Sequence, residues 1–360
     1  MQKFIDSVVK DVFSKSENTA ELVFILPSKR AGVFLKNAIK STLDKATILP
    51  QIISVEEFVE KLSNTSLIDT TTLLFEFYFI YKKNTPSAKI ESFENFSKWA
   101  PLLLQDFNEI DRHLIEPNYI FSYLTDVKRI EKLLNGEQKT DLISNQIQFY
   151  EKFETYYKTL YLHLLEKKAG YQGLQYREAA KNIDSYINNS QQKIILVGFN
   201  ALNKAEESIF QNLLDNNIAT AYWDIDAYFY NNDHSASTFI KKHKKWNYFN
   251  DHSFTWITDN FSLKKNIKII GTPKDVSQVK YVGEILDQIK SSANNFTDTA
   301  LVLADETLLN ASLNSLPDSV KNVNITMGYD LSNIPISNLF EQLFKLHIHN
   351  KKDAFYYKEV

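Results

Sequence analysis

Four stretches of this 360-residue chain hold side chains whose types and spacing could do chemistry. The first is Pro27-Ser28-Lys29-Arg30-Ala31-Gly32, directly after an apolar run and before a helical pattern. A strand-to-helix turn is where phosphate loops sit, but a phosphate loop needs clustered glycines and a Lys followed by Ser or Thr. This turn has one glycine, out of place, and GxxxxGK[ST] occurs nowhere in the chain. What Ser28, Lys29 and Arg30 can offer is a hydroxyl, two cations and the N–H groups of a helix start, which together suit a nucleic-acid phosphate. The plainer reading is that Ser28 caps the helix and the two cations face water.

The second is Asp224-Ile225-Asp226 at a predicted strand end. Paired carboxylates there can hold a divalent cation, as a nucleotide-sugar transferase does. Without phosphate-binding glycines nearby, a solvated strand terminus accounts for the pair better. The third is Asp106, Glu109 and Asp111, of which the first two share a helix face; a solvated face is again the simpler account. The fourth is Lys241-Lys242-His243-Lys244-Lys245-Trp246, four cations beside a ring that could stack on a base. The seven histidines include no HExxH; His234, His252, His347 and His349 are scattered, so no metal site is expected.

The elements that must position these groups follow from periodicity. Residues 2–15 carry apolar side chains at helical spacing, 21–26 form a short buried strand, and 31–43 a helix. A second strand is predicted over 48–55 and a helix over 56–62. From 70 to 189 the pattern is helical throughout and reads as an all-helical insertion. Strands return at 193–197 and 219–223 with a helix between them, so one parallel sheet is expected from 1–69 plus 190–230. Residues 231–264 are polar, aromatic and irregular and read as a linker or excursion. From 265 to 360 a second α/β unit is expected, with strands at 267–270, 299–303 and 323–326. A three-stranded sheet is seldom complete, so this unit reads as truncated.

Composition narrows the functions. A net charge of -3 gives no wholesale attraction to nucleic acid and leaves room only for a local basic stripe. Zero cysteines exclude disulfides, thiol catalysis and cysteine zinc sites. Eight glycines are few for a protein that cradles phosphates. No signal peptide and no membrane span are expected, and the compartment expected is the cytoplasm.

Five segments, in order, carry a resemblance: LVFILPSKRAGVFL, PQIISVEEF, LLLQDFNEIDRHLI, ILVGFNALNKAEESIF with AYWDID, and NVNITMGYDLSNIP. They resemble the N-terminal part of a Bacteroidetes family of long proteins with a PD-(D/E)XK nuclease domain. Those proteins are similar to AddB-type subunits, in which an inactivated superfamily 1 helicase precedes the nuclease. The resemblance implies a RecA-like (P-loop NTPase-like) α/β fold with a large helical insertion, then part of a second RecA-like domain. FILPSKRAGVFL resembles helicase motif Ia and IISVEEF motif Ib, both of which touch single-stranded DNA, which marks Ser28, Lys29, Arg30 and Ser54. Motif I has no counterpart. Val197 and Gly198 stand where motif II supplies its Asp-Glu pair, and Asp305 stands where motif IV supplies an Arg.

The function expected is therefore a non-catalytic DNA-binding scaffold in double-strand-break repair, without cofactor or metal. Its expected partners are DNA and a helicase subunit of the AddA or UvrD type, with the nuclease beyond residue 360. The competing expectations are a protein-docking module with no DNA contact, and a metal-dependent nucleotide-sugar transferase using Asp224 and Asp226.

Overall fold

The computed structural model describes residues 3–15, 18–42, 48–134, 141–254, 257–293, 296 and 299–348. The chain divides into two units, Met1–Leu263 and Lys264–Val360.

The first unit is built on a four-stranded parallel sheet. Its strands are β1 (Leu22–Leu26), β2 (Gln51–Ser54), β5 (Lys193–Val197) and β6 (Ala219–Tyr222), in spatial order β2-β1-β5-β6. Register pairs Leu26 with Ser54, Phe24 with Ile195, and Leu196 with Ala221. All of β1 is buried, as expected of a central strand covered on both faces. The period of two then sorts the side chains. Leu22, Phe24, Leu26, Ile195, Val197 and Tyr222 meet α1 (Phe4–Lys15) and α2 (Lys29–Thr42) through Val8, Val9, Val12, Leu35 and Ile39. Val23, Ile25, Ile194 and Leu196 meet α3 (Val55–Ser63), α8 (Gln172–Asn189) and α9 (Lys204–Asp215). The result is a three-layer α/β/α arrangement.

Between β2 and β5 lies the helical insertion. It holds α4 (Thr70–Lys83), α5 (Phe93–Arg112), α6 (Pro117–Leu134) and α7 (Asp141–Glu166). Its base is a two-residue parallel ladder of β3 (Ser66–Leu67) and β4 (Ala169–Gly170). Its core is aromatic: Phe77 touches the rings of Phe96, Trp99, Phe107 and Tyr156. Helix α8 serves both layers. Tyr176, Ala179 and Ile183 join the core under the sheet, while Leu174 belongs to the core of the insertion.

The stretch expected as a linker is instead packed onto the first unit. Entered through β7 (Ile225–Asp226) and α10 (Ala227–Asn231), it carries α11 (Thr238–His243), α12 (Tyr248–Asp251) and β8 (Ile257–Thr258), the last pairing in parallel with β7. Ile240, Trp246 and Phe254 enter the core beside Trp223. Irregular composition hid this, because the aromatics that anchor the excursion follow no single period.

In the second unit the described residues form α13 (Asp275–Ala293), α14 (Leu309–Leu313) and α15 (Pro335–Ile348), and no strand. The strands expected at 267–270, 299–303 and 323–326 are therefore corrected: these segments are unpaired, with Ile269 95% and Val302 85% exposed. Apolar content makes a segment fit to be a buried strand, but a ladder also needs a neighbouring backbone about 4.8 Å away. None of the described residues supplies one here.

Candidate functional site

Ligands of open parallel sheets bind outside the carboxyl ends of the strands, where successive connections leave in opposite directions. Here that point lies between β1, whose chain continues outward to β2, and β5, whose chain continues to β6 on the other side. Two turns open there. β1 is followed by Pro27, and β5 by Gly198, whose φ of +73° suits a residue without a Cβ. A crevice of about 500 Å³ lies at this position. Pro27, Val55 and Phe199 contribute apolar lining, and Glu56, Glu109, Arg112, His113, Tyr176 and Glu206 the polar lining.

Its polar groups are largely committed to one another. Asn203 and Glu206 form the capping box of α9: the Asn203 side chain accepts from the Glu206 N–H, and Glu206 Oε2 accepts from the Asn203 N–H at 2.9 Å. The Tyr176 hydroxyl donates to Glu206 Oε1 at 2.8 Å. Burial pushes the Glu206 carboxyl above the usual carboxylate range, and only secondarily do its hydrogen bonds pull it back. Glu109 accepts from Arg112 at 3.2 Å and pairs with His113 Nε2 at 3.4 Å. Arg112 Nε is buried with no hydrogen-bond partner. Three carboxylates against one guanidinium and one imidazole make the crevice unfavourable for a triphosphate, and the turn after β1 has no run of glycine N–H groups to offset that.

The four residues singled out by sequence come together beside this crevice. The register of β1 and β2 sets the turn 27–30 next to the start of α3. Ser28 Oγ accepts from the Ala31 N–H at 3.3 Å, an ordinary helix cap. Lys29 Nζ lies 3.2 Å from Glu57 Oε1. Arg30 is exposed and makes no ion pair among the described residues. Ser54 is 1% exposed and spends its hydroxyl on the Glu57 N–H, while Glu57 accepts from the Ser54 N–H at 2.9 Å. That backbone hydrogen bond first, and Lys29 after it, holds the Glu57 carboxyl below its ordinary range. Ser54 therefore shapes the turn, and the groups open to a ligand are Lys29 and Arg30.

The other candidates fall to structural roles. Asp226 caps α10 through the Tyr228 N–H at 3.0 Å and accepts from the N–H groups of Asn260 at 2.7 Å and Phe261 at 3.0 Å. It ties the excursion together and is not arranged as half of a cation site. Asp111 is buried where α5, α7 and α8 meet. It accepts from the Tyr157 hydroxyl, from the Tyr171 hydroxyl at 2.5 Å and from Arg177 Nε at 2.5 Å. Trp246 is buried against Trp223 and His243, so its ring is not open to a base. His234 caps a turn through the Ala236 N–H, and His349 lies outside the described residues. Asp305 caps the turn that follows it, accepting from the Thr307 N–H at 2.9 Å. Among the described residues no three His, Asp or Glu side chains are grouped to hold a metal, and no helix is long and apolar enough to cross a membrane.

Sequence reasoning missed Tyr176, Arg112 and Glu206 as neighbours. The capping pattern Asn203-x-x-Glu206 was readable, but the meeting with Tyr176 and Arg112 needs the insertion to fold back on the sheet. No protein-family description matches this chain, and no curated protein matches it.

Proposed function

We propose that this chain is a non-catalytic, helicase-like module that binds or guides a DNA strand within a helicase–nuclease system for double-strand-break repair. In this reading the parallel sheet is a RecA-like domain that lacks its nucleotide site, and the module works in the cytoplasm beside a nuclease and an AddA- or UvrD-type helicase subunit. The observation that carries it is the carboxyl end of the sheet. The turn resembling motif Ia and the turn resembling motif Ib lie side by side there, with Lys29 and Arg30 outward. The strand end resembling motif II carries only Val197 and Gly198, next to a crevice lined by carboxylates. Groups that would meet a strand are kept while groups that would meet a triphosphate are missing.

The test is single-strand binding by Lys29→Ala/Arg30→Ala against the parent across a salt series. Loss of two phosphate contacts weakens binding for every sequence and lowers the log–log salt slope by roughly 1.4. Unchanged affinity and slope would remove the site. A docking module without DNA contact is the second reading, favoured by the net charge of -3; it predicts no measurable oligonucleotide binding by the parent.

A further inference from the structure

We propose that the outward seam of α4 and α7 in the helical insertion docks an amphipathic helix of a partner protein. Phe75, Phe79 and Leu162 take its apolar side chains, and Lys82 and Lys83 take its acidic end. The surface belongs to the insertion and needs no DNA contact, so the inference stands apart from the turn at Lys29 and Arg30.

Spacing along α4 sets up the face. Its inward side is Leu73, Phe77, Ile80 and Tyr81, which enter the core of the insertion. At about 100° per residue, Thr71, Phe75, Phe79, Lys82 and Lys83 share an arc of about 120° on the opposite side. Phe75 is 55% and Phe79 52% exposed, and Leu162 on α7 is 61% exposed. Neighbouring rings hold both phenylalanines in place. Phe75 stacks on Phe93 at 4.9 Å, and Phe79 lies against the His163 ring at 5.6 Å. His163 is fixed in turn by Glu76 at 2.7 Å, and Lys167 holds the other oxygen of that carboxylate at 2.5 Å. Three large apolar side chains carried on packed helices expose on the order of 300 Å², a size at which a patch on a monomer is often functional. Because the rings are already positioned, binding costs them little further freedom.

Charge selects the partner. Glu76 is spent on His163 and Lys167, whereas Lys82 and Lys83 make no ion pair among the described residues. Lys82 lies over the Tyr78 ring at 4.8 Å, a contact that leaves it without a carboxylate. The face is therefore apolar along its middle and cationic at its carboxyl end. From Thr71 to Lys83 it runs about 18 Å, the length of about twelve helical residues. A helix with apolar residues at i, i+3, i+4 and i+7 and carboxylates one turn further matches it. Two cations are too few for an anionic bilayer or a nucleic-acid strand, both of which are met by about four or more.

The chain has no cysteine, so Thr71→Cys at the rim of the face carries a single environment-sensitive dye on the full chain. Two synthetic helical peptides of about 14 residues are titrated against it. They share apolar residues at i, i+3, i+4 and i+7; one ends in two Glu and the other in two Lys. The acidic peptide is expected to shift the dye emission saturably, and the basic one to bind about tenfold more weakly or worse. Phe75→Ala/Phe79→Ala weakens the acidic peptide by about tenfold or more. Lys82→Glu/Lys83→Glu reverses the preference toward the basic peptide. Both pairs are exposed, and melting temperatures close to the parent's separate a lost contact from a lost fold. If neither peptide shifts the dye, if both bind alike, or if the phenylalanine pair is dispensable, the docking seam is wrong. A shift that grows with protein concentration alone, with doubled mass by light scattering, gives the face to a second copy. A shift with anionic vesicles or oligothymidylate in place of peptide gives it to a lipid surface or a strand. Either of these results also overturns the proposal.

Discussion

His243 shows how a residue in a basic stretch can end up neutral. Its ring lies between Trp223 and Trp246, with centroids 5.0 and 4.6 Å away. Nε2–H donates to the Asn200 carbonyl at 2.6 Å, and Nδ1 has no partner. Burial pushes its pKa below the ordinary value of 6.5. The unfolded chain therefore takes up a proton at this position before the folded one does. The stability this group contributes is complete above 6.5 and declines as pH falls toward the depressed value. Urea midpoints measured between about pH 7 and 5 should fall for the parent. His243→Gln keeps a donor for Asn200 but cannot titrate, so its midpoint should be flatter over the same range. Equal slopes would mean that His243 is not held neutral.

At the scale of elements, the insertion and the sheet are joined by close approach as much as by side chains. Helix α8 begins at Gln172, and Gly173 lies so near α5 that an added Cβ would stand 2.2 Å from the Asn108 carbonyl oxygen. The Gly173 N–H donates to Asn108 Oδ1 at 2.7 Å, which fixes the same approach. Gly173→Ala must push α8 from α5, and with it Tyr176 from Glu206. The expected cost is about 1–3 kcal/mol, the usual price of overpacking, read as a lower melting temperature. An unchanged melting temperature would show that the two helices separate freely. The sequence carried no hint of this contact, since a glycine near a helix start is ordinary. The structure also shows capping boxes at the starts of α3 and α9, where Ser54 precedes Glu57 and Asn203 precedes Glu206 by three residues, and it gives Ser54 this role in place of the DNA contact expected of it.

For the whole molecule, burial is uneven. The three large apolar clusters draw all their buried residues from the first unit. In the second unit the described part of α15 has no buried residue, and Leu339, Phe340 and Phe344 are exposed. Residues 1–263 expressed alone should therefore fold cooperatively and bind less of a hydrophobic dye than the full chain, since such dyes report exposed apolar surface. Aggregation or non-cooperative melting of that piece would contradict the division. The sequence by itself determined the four sheet strands and the span of helical insertion, because the strands read as short runs rich in apolar residues, most fully in the buried central pair β1 and β5, and amphipathic helices as a 3.6-residue period. It also determined the absence of a phosphate loop, which is a matter of residue types alone. Only the tertiary structure decided that the excursion after 230 packs on the sheet and that Trp246 is core. It likewise decided that three apolar runs after 264 stay unpaired and that three carboxylates line the crevice. Those outcomes depend on which distant backbones and side chains meet, and local composition carries no record of that.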